Sequence, residues 1–468
     1  MKTIEQSGRT DVTIRKIVAD GITPIAAFAT LRAAHPGVAF LFESAPGAGM
    51  SARHSIIGLG CRAEVQAVDG QIRTSIDGET LDHHGSAFDA AREMLRRLLP
   101  ERETLIEMPF LGAYGAAAFE FSGYLERLPR LERGSDPMPD LHLVVPETLV
   151  VFDHFSHSVS IAALGEAAES VASGLVAELA EARISPLQRA ARAGPLKARV
   201  PELPFSEAVE RGREAILAGE AYQVVLSQGW EMEQRGDPFD AYRALRAINH
   251  SPYMFFLDLG WGQLFGSSPE VLVSLREHRA RVRPLAGTRA RSGDPEADRA
   301  IAARLRRNPK ERAEHVMLVD LGRNDLGRVS EYGSVRVTEL LGIESFSHVM
   351  HLVSDVVGNV REELDAFDVF GAVFPAGTVS GAPKIRAIEL IAELEGRRRG
   401  FYAGSVGRFG FDGSLDACIT LRSAHAYDGA YHLQAGAGIV AESASDREDQ
   451  ECLSKAAAVV AAISGADV

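Results

Sequence analysis

The 468-residue chain is longer than one ordinary domain and, at 46% apolar and 24% charged residues, can bury a large core. Its net charge of −14 argues against a nucleic-acid partner, because phosphate binding needs a basic face. No run of ~18 uncharged apolar residues is present, which excludes an ordinary membrane-spanning helix. The polar start MKTIEQSGRTDVTIRK lacks the apolar stretch of a secretory signal, so a cytoplasmic chain is expected. Cys61, Cys418 and Cys452 are too dispersed for a disulfide framework and read as reduced thiols.

In chain order, VAFLFES, HSIIGLG and LHLVVPETLVVFDH read as short strands, with AFDAAREMLRRLL as a helix among them. The Ala/Glu-rich stretch from Glu166 to Arg192 reads as helix with a break at Pro186. AGPLKARVPELP then reads as a linker. This predicts an N-terminal region over 1–192, a linker over 193–203 and a second domain over 204–468. PFSEAVERGREAILAGE opens that domain as a helix, with Ser206 as N-cap and Gly219 near its end. YQVVLSQGWEME, MFFLDLG, GQLFGSSPEVLVSL and RARVRPLAG read as strands ahead of a long charged helix. FYAGSVGRFGF, DACITLRSAHAY and AYHLQAGAGIV read as an antiparallel meander turning at Asp412-Gly413 and Asp428-Gly429. The expected fold is α/β of the α+β type, with large antiparallel sheets packed with helices rather than a doubly wound parallel sheet.

Two acidic pairs carry the first chemical signal. Glu311 and Glu314 lie three apart in NPKERAEHVMLVDL, as do Glu448 and Glu451 in DREDQECLSKAAAV. On helices each pair shares a face. Facing one another across a cleft, the carboxylates would need a cation. Mg²⁺ suits a site that supplies one or two carboxylates and leaves room for water or substrate. Taken alone, such a pair beside Lys and Arg is usually a solvated helix face. PLAGTRARSG (284–293), PAGTVSGAPK (375–384) and QAGAGIVAE (434–442) read as glycine-rich turns whose N–H groups can face a carboxylate. Gly436, Gly438 and Ala441 also fit G-x-G-x-x-A, but the about thirty residues that follow leave no room for a dinucleotide-binding unit. TVSGAPK precedes IRAIELIAEL and so places a helix N-terminus there, favourable to an anion.

Single residues add to this. Arg422 falls in the apolar strand-like CITLRSA, where a guanidinium needs a ligand carboxylate or a structural partner such as Asp416. His351, in SHVMHLVSDVV, is either a buried catalytic imidazole or a hydrogen-bonded core residue. Glu270 follows Ser-Ser-Pro at a strand start, and is either a partly buried acid of raised pKa or a cap. Arg397, Arg398 and Arg399 read as a solvated basic patch.

Together these segments resemble chorismate-utilising enzymes, most closely the large subunits of anthranilate synthases, through nearly all of residues 204–458. The motifs are YQVVLSQ, SPYMFF, SSPE, PLAGTR, ERAEHVMLVDLGRNDLGRV, VMHLVS, PAGTVSGAPKIRA, FYAGSVG, ITLRSA and QAGAG, in that order. The resemblance implies that Glu314 and Glu451 hold Mg²⁺ at the ring carboxylate of chorismate, with Glu311 and Glu448 supporting that sphere through water. It implies that Gly287, Thr288, Tyr402, Arg422, Gly436, Ala437 and Gly438 line the substrate site. Glu270 would protonate the departing C4 hydroxyl, with His351 and Thr378 near the same chemistry. The implied reaction is amination of chorismate at C2 by ammonia with loss of water, then elimination of pyruvate. The product would be anthranilate, the first step of tryptophan synthesis.

Gln223 stands where water-using isochorismate and salicylate synthases place a lysine base. Ala286 stands where many aminodeoxychorismate synthases carry the lysine of P-I-K-G-T. The first position disfavours the water-using enzymes and the second disfavours aminodeoxychorismate synthase, so anthranilate synthase is expected, with aminodeoxychorismate synthase or 2-amino-2-deoxyisochorismate synthase as the alternative. A non-catalytic tryptophan- or chorismate-binding regulator is the distant alternative. No cysteine lies in a G-x-C-x-G elbow, so ammonia is expected from a separate glutamine amidotransferase subunit in a hetero-oligomer. FLFESA resembles the L-L-E-S tryptophan element and gives Ser44, while SPYM adds Pro252, Tyr253 and Met254. The N-terminal region is therefore expected to be regulatory, with tryptophan as inhibitor. Phe42, His54, His250 and Arg408 depart from the family's pattern.

Overall fold

The computed structural model of the chain describes residues 10–44, 53–187, 193–345 and 349–465. Two 12-stranded sheets dominate, and each is woven from both parts of the sequence. In the first, Tyr253–Asp258 runs antiparallel to Ala39–Glu43, with Met254 opposite Glu43. In the second, Ser405–Gly410 runs antiparallel to Gly112–Ala117, with Ser405 opposite Ala117. The stretch expected as a linker is itself tied down: Lys197–Ala198 pairs with Trp230 and Glu231. The expected class, large antiparallel sheets packed with helices, is what the chain adopts.

Side chains alternate across each strand, and that period of two sorts the core. Phe40 and Phe255 point into a cluster shared with residues of the second sheet, such as Val65, Tyr114 and Phe409. Their neighbours Leu41 and Phe256 point the other way, onto helix residues such as Phe28, Leu175, Tyr242 and Val459. The first sheet is thus apolar on both faces, which explains why its strands read as continuous apolar runs rather than alternating ones.

Several local expectations are corrected. The Ala/Glu-rich helix spans Ala168–Ala180 and ends before Pro186. The helix Phe205–Leu217 begins directly after Pro204, whose φ of −52° presets the helical entry, so Ser206 lies inside it rather than capping it. Gly219 does follow its end, with φ +83°. The expected long helix is two helices, Pro295–Arg307 and Pro309–Gly327, joined at Asn308. The Asn308 side chain accepts from the N–H groups of Lys310 and Glu311, and this cap sets the second helix. QAGAG, which reads both as the end of the strand AYHLQAGAGIV and as a glycine-rich turn, belongs to the strand Ala430–Ile439 and not to a turn. DACITLRSAHAY is two strands: Leu415–Ile419 belongs to the second sheet and Ser423–Tyr427 to the first. Arg422 occupies the crossing, with φ +48°.

Candidate active site

Where the chain passes from one sheet to the other, a cavity of about 960 Å³ opens. Its walls include Glu270, Gly287, His351, Thr378, Tyr402, Arg422, Gly436 and Gly438, together with Glu311, Glu314, Glu448 and Glu451. Residues spread over 182 positions of sequence, from Glu270 to Glu451, therefore meet in one place. The two acidic pairs arrive on separate helices, Pro309–Gly327 and Ser445–Ser464.

Glycine permits close approach on the strand wall. Gly436 and Gly438 sit opposite Ser227 and Val225 of the strand Gln223–Glu233. A Cβ on Gly436 would lie 2.7 Å from both the Leu226 carbonyl oxygen and the Tyr402 hydroxyl, and one on Gly438 only 2.4 Å from Gln223 Nε2. Ala437, between them, turns its side chain into the core. Gly287 marks a bulge in the strand Leu285–Ala290, with φ +61°, a conformation that L side chains rarely adopt. Thr288 follows it opposite His351, and its side chain lies outside the described residues.

Burial and charge set the chemistry of the wall. Burial pushes the Glu270 carboxyl up to about 7, against the opposing pull of Thr378, the Leu285 N–H, Lys455 and Arg422. Thr378 Oγ1 is buried without a well-formed hydrogen bond. Burial, then the positive charges of Arg422 and Lys455, lower His351 to about 4, so its imidazole is neutral at neutral pH. Burial lowers the Arg422 pKa while the Glu270 charge supports it. Asp416, the structural partner considered for Arg422, instead accepts from the Tyr253 hydroxyl at 2.8 Å.

The acidic helices are already organised around positive charge. Glu451 pairs with Lys455 Nζ at 2.7 Å, and Glu311 with Arg289 Nη2 at 2.7 Å. Glu314 is raised by burial and by the nearby Glu311 and Glu451 charges, while Gln223 Nε2 donates to it at 3.2 Å. Among the described residues, no three His, Cys, Asp or Glu side chains form a ready-made metal cage. A hard cation that takes one or two carboxylates and completes its sphere with water and substrate needs none, so this oxygen donor set fits Mg²⁺.

Lys455 escaped the sequence reading. Its Nζ also donates to the Gly436 carbonyl at 2.9 Å, so it bridges the acidic helix and the glycine strand. The available signal was its place four residues after Glu451 on a helix. The basic triplet is also corrected: Arg398 pairs with Asp140 and Asp69, and Arg399 is only 2% exposed. Away from the cavity, Ser44 Oγ donates to the Pro252 carbonyl at 2.8 Å. Ser44, Pro252, Tyr253 and Met254 thus adjoin one another, whereas residues 45–52 lie outside the described residues.

The sequence matches the chorismate binding enzyme family over residues 38–461. The chain belongs to that family. Chorismate binding enzymes named anthranilate synthase component 1 include one from Thermus thermophilus, 42% identical across 97% of this chain and 98% of its own length. Another from Streptomyces coelicolor is 42% identical across 96% of this chain and 88% of its own. The crystal structure of anthranilate synthase component I from Streptococcus pneumoniae superposes with a TM-score of 0.77 at 36% identity, covering 89% of this chain and 93% of that one. The menaquinone-specific isochorismate synthase of Escherichia coli shares the fold at 19% identity, with a TM-score of 0.75 and coverage of 98% and 96%. Among the described residues no helix is long and apolar enough to cross a membrane.

One consequence of this geometry is spectroscopic. Difference infrared titration of the chorismate binding enzyme should reveal a carboxyl changing charge near pH 7, absent from Glu270→Gln. Titration of Glu270 in the ordinary range, at about 4, would contradict the burial argument.

Proposed function

We propose that this enzyme is the chorismate-using component of an anthranilate synthase. It adds ammonia at C2 of chorismate with loss of the C4 hydroxyl as water, then releases pyruvate to leave anthranilate. The observation that carries this reading is a buried acid held near neutrality, Glu270, in one cavity with Arg422 and the two acidic helices. Hydroxide is a poor leaving group, so the C4 oxygen needs a proton donor that is still protonated at neutral pH. Glu270 meets that need where an ordinary carboxylate does not.

Chorismate carries two carboxylates. Arg422 and Lys455 supply positive charge at the wall, and backbone N–H groups beside Gly287, Gly436 and Gly438 complete the cradle. Glu314 and Glu451 would hold Mg²⁺, with Glu311 and Glu448 behind them. Bound there, Mg²⁺ would withdraw electron density through the ring carboxylate and ease attack on the conjugated system. Thr378 and the neutral His351 imidazole line the same cavity as Glu270, near the departing C4 oxygen. Gln223 is occupied with Glu314 and provides no base to activate water, whereas ammonia is already a nucleophile.

Ammonia drawn from glutamine must come from another chain, although free ammonia can serve directly. Burial pushes the thiols of Cys61, Cys418 and Cys452 each up to about 12, so none is an activated nucleophile for glutamine hydrolysis. A glutamine amidotransferase subunit in a hetero-oligomer supplies that step. The place of Ser44 beside Pro252, Tyr253 and Met254, where the two parts of the chain pair, supports a tryptophan inhibitory site in a regulatory N-terminal region.

Purified protein given chorismate, Mg²⁺ and ammonium chloride should yield fluorescent anthranilate and pyruvate, and should lose both products with EDTA or with glutamine replacing ammonium. A product that keeps its enolpyruvyl group, seen by mass spectrometry, would favour aminodeoxychorismate or 2-amino-2-deoxyisochorismate synthesis. Tryptophan at millimolar concentration should inhibit the wild type, and Ser44→Ala should weaken that inhibition. Unchanged activity with tryptophan would remove the inhibitory site from the account.

A further inference from the structure

We infer that Arg399 and Glu395 form a buried positioning pair that holds three walls of the substrate cavity in register. The proposal rests on the anthranilate synthase reading of that cavity. Neither side chain is among those lining it.

The need for the pair arises at a gap in the sheet. One edge of the strand Gln223–Glu233 is covered at its start by Gly381–Ala382 and further along by Lys197–Ala198. Between these short stretches the Val225 carbonyl and the Ser227 N–H are satisfied by side chains instead. Arg399 Nη2 donates to the Val225 carbonyl at 2.6 Å, and Glu395 Oε1 accepts from Ser227 N at 2.8 Å and Ser227 Oγ at 2.9 Å. Buried backbone groups left bare are costly, so the pair takes the place of a missing strand.

The same guanidinium reaches two further walls. Its Nη1 donates to the Val379 carbonyl at 2.9 Å, fixing the turn that carries Thr378. Its Cζ lies 5.6 Å from the Tyr402 ring centroid and 4.6 Å from that of Phe119. Glu395 aligns it through Nε at 3.0 Å and Nη2 at 2.6 Å. Val225 sits opposite Gly438 and Ser227 opposite Gly436, so the glycine wall, the Thr378 turn and Tyr402 all refer to one planar cation. Lysine cannot replace it, because an ammonium lacks the planar fork that serves a carboxylate and two carbonyls together.

Arg399→Lys tests the role. Its steady-state kinetics should show kcat lowered about tenfold to a hundredfold with KM for chorismate changed much less, since Arg422 and Lys455 still supply the binding charge. Phe28→Leu, in the apolar cluster on the far face of the first sheet, is the control for lost stability: a similar fall in melting temperature with kcat retained. If Arg399→Lys does not fold, Glu395→Gln keeps an oxygen for Ser227 but removes the charge that aligns the guanidinium. It should lower kcat in the same way. A folded variant with wild-type kcat, a loss confined to KM, or an equal loss of kcat in Phe28→Leu would overturn the proposal. Wild-type protein that makes no anthranilate would instead refute the reading beneath it.

Discussion

Five glutamates and four cationic side chains share the cavity walls among the described residues, and the substrate to be bound is itself a dianion. The site works only if that negative charge is managed. Burial removes one charge by holding Glu270 protonated up to about pH 7. Lys455 and Arg289 neutralise Glu451 and Glu311. Glu314, raised by burial and by its acidic neighbours, is the carboxylate most in need of a further cation. In the proposed function, the demand for a metal, the role of Glu270 as acid and the placement of Arg422 are three aspects of one electrostatic balance.

The two-sheet architecture makes that balance possible. Arg422 reaches the cavity because the chain changes sheets at Thr420–Arg422, and a guanidinium at such a crossing can be buried while still facing the substrate volume. Strands from the N-terminal part complete both sheets, and Ser44 lies at one of the seams. A ligand bound at that seam would act on pairing that continues, strand by strand, toward the cavity.

Helical periodicity made much of the site legible. Glu311 and Glu314, like Glu448 and Glu451, share helix faces, as their spacing implied, whereas the meeting of the two faces in one cavity is a tertiary fact that the spacing does not carry. The strand wall was harder, because glycines at 436 and 438 carry a local signal for turns. Their actual cause is close approach of Tyr402 and Gln223, contacts between residues far apart in the sequence. The sheet crossing inside DACITLRSAHAY was also invisible, since both strands are apolar and the corner carries neither Gly nor Pro. The arginine triplet misled for a similar reason. Three adjacent cations read as solvated surface unless the partners Asp140, Asp69 and Glu395 and the Val225 and Val379 carbonyls are known to surround them.

The central claim is that burial tunes Glu270 to donate a proton to the leaving oxygen. It is tested most directly by the pH dependence of kcat/KM for chorismate at constant free ammonia. The protonated carboxyl is the active form, so kcat/KM should fall as pH rises through about 7. Glu270→Gln should retain about 10⁻² to 10⁻⁴ of the rate without that descending limb. The same limb in Glu270→Gln, or a wild-type rate that does not decline above neutrality, would contradict the assignment.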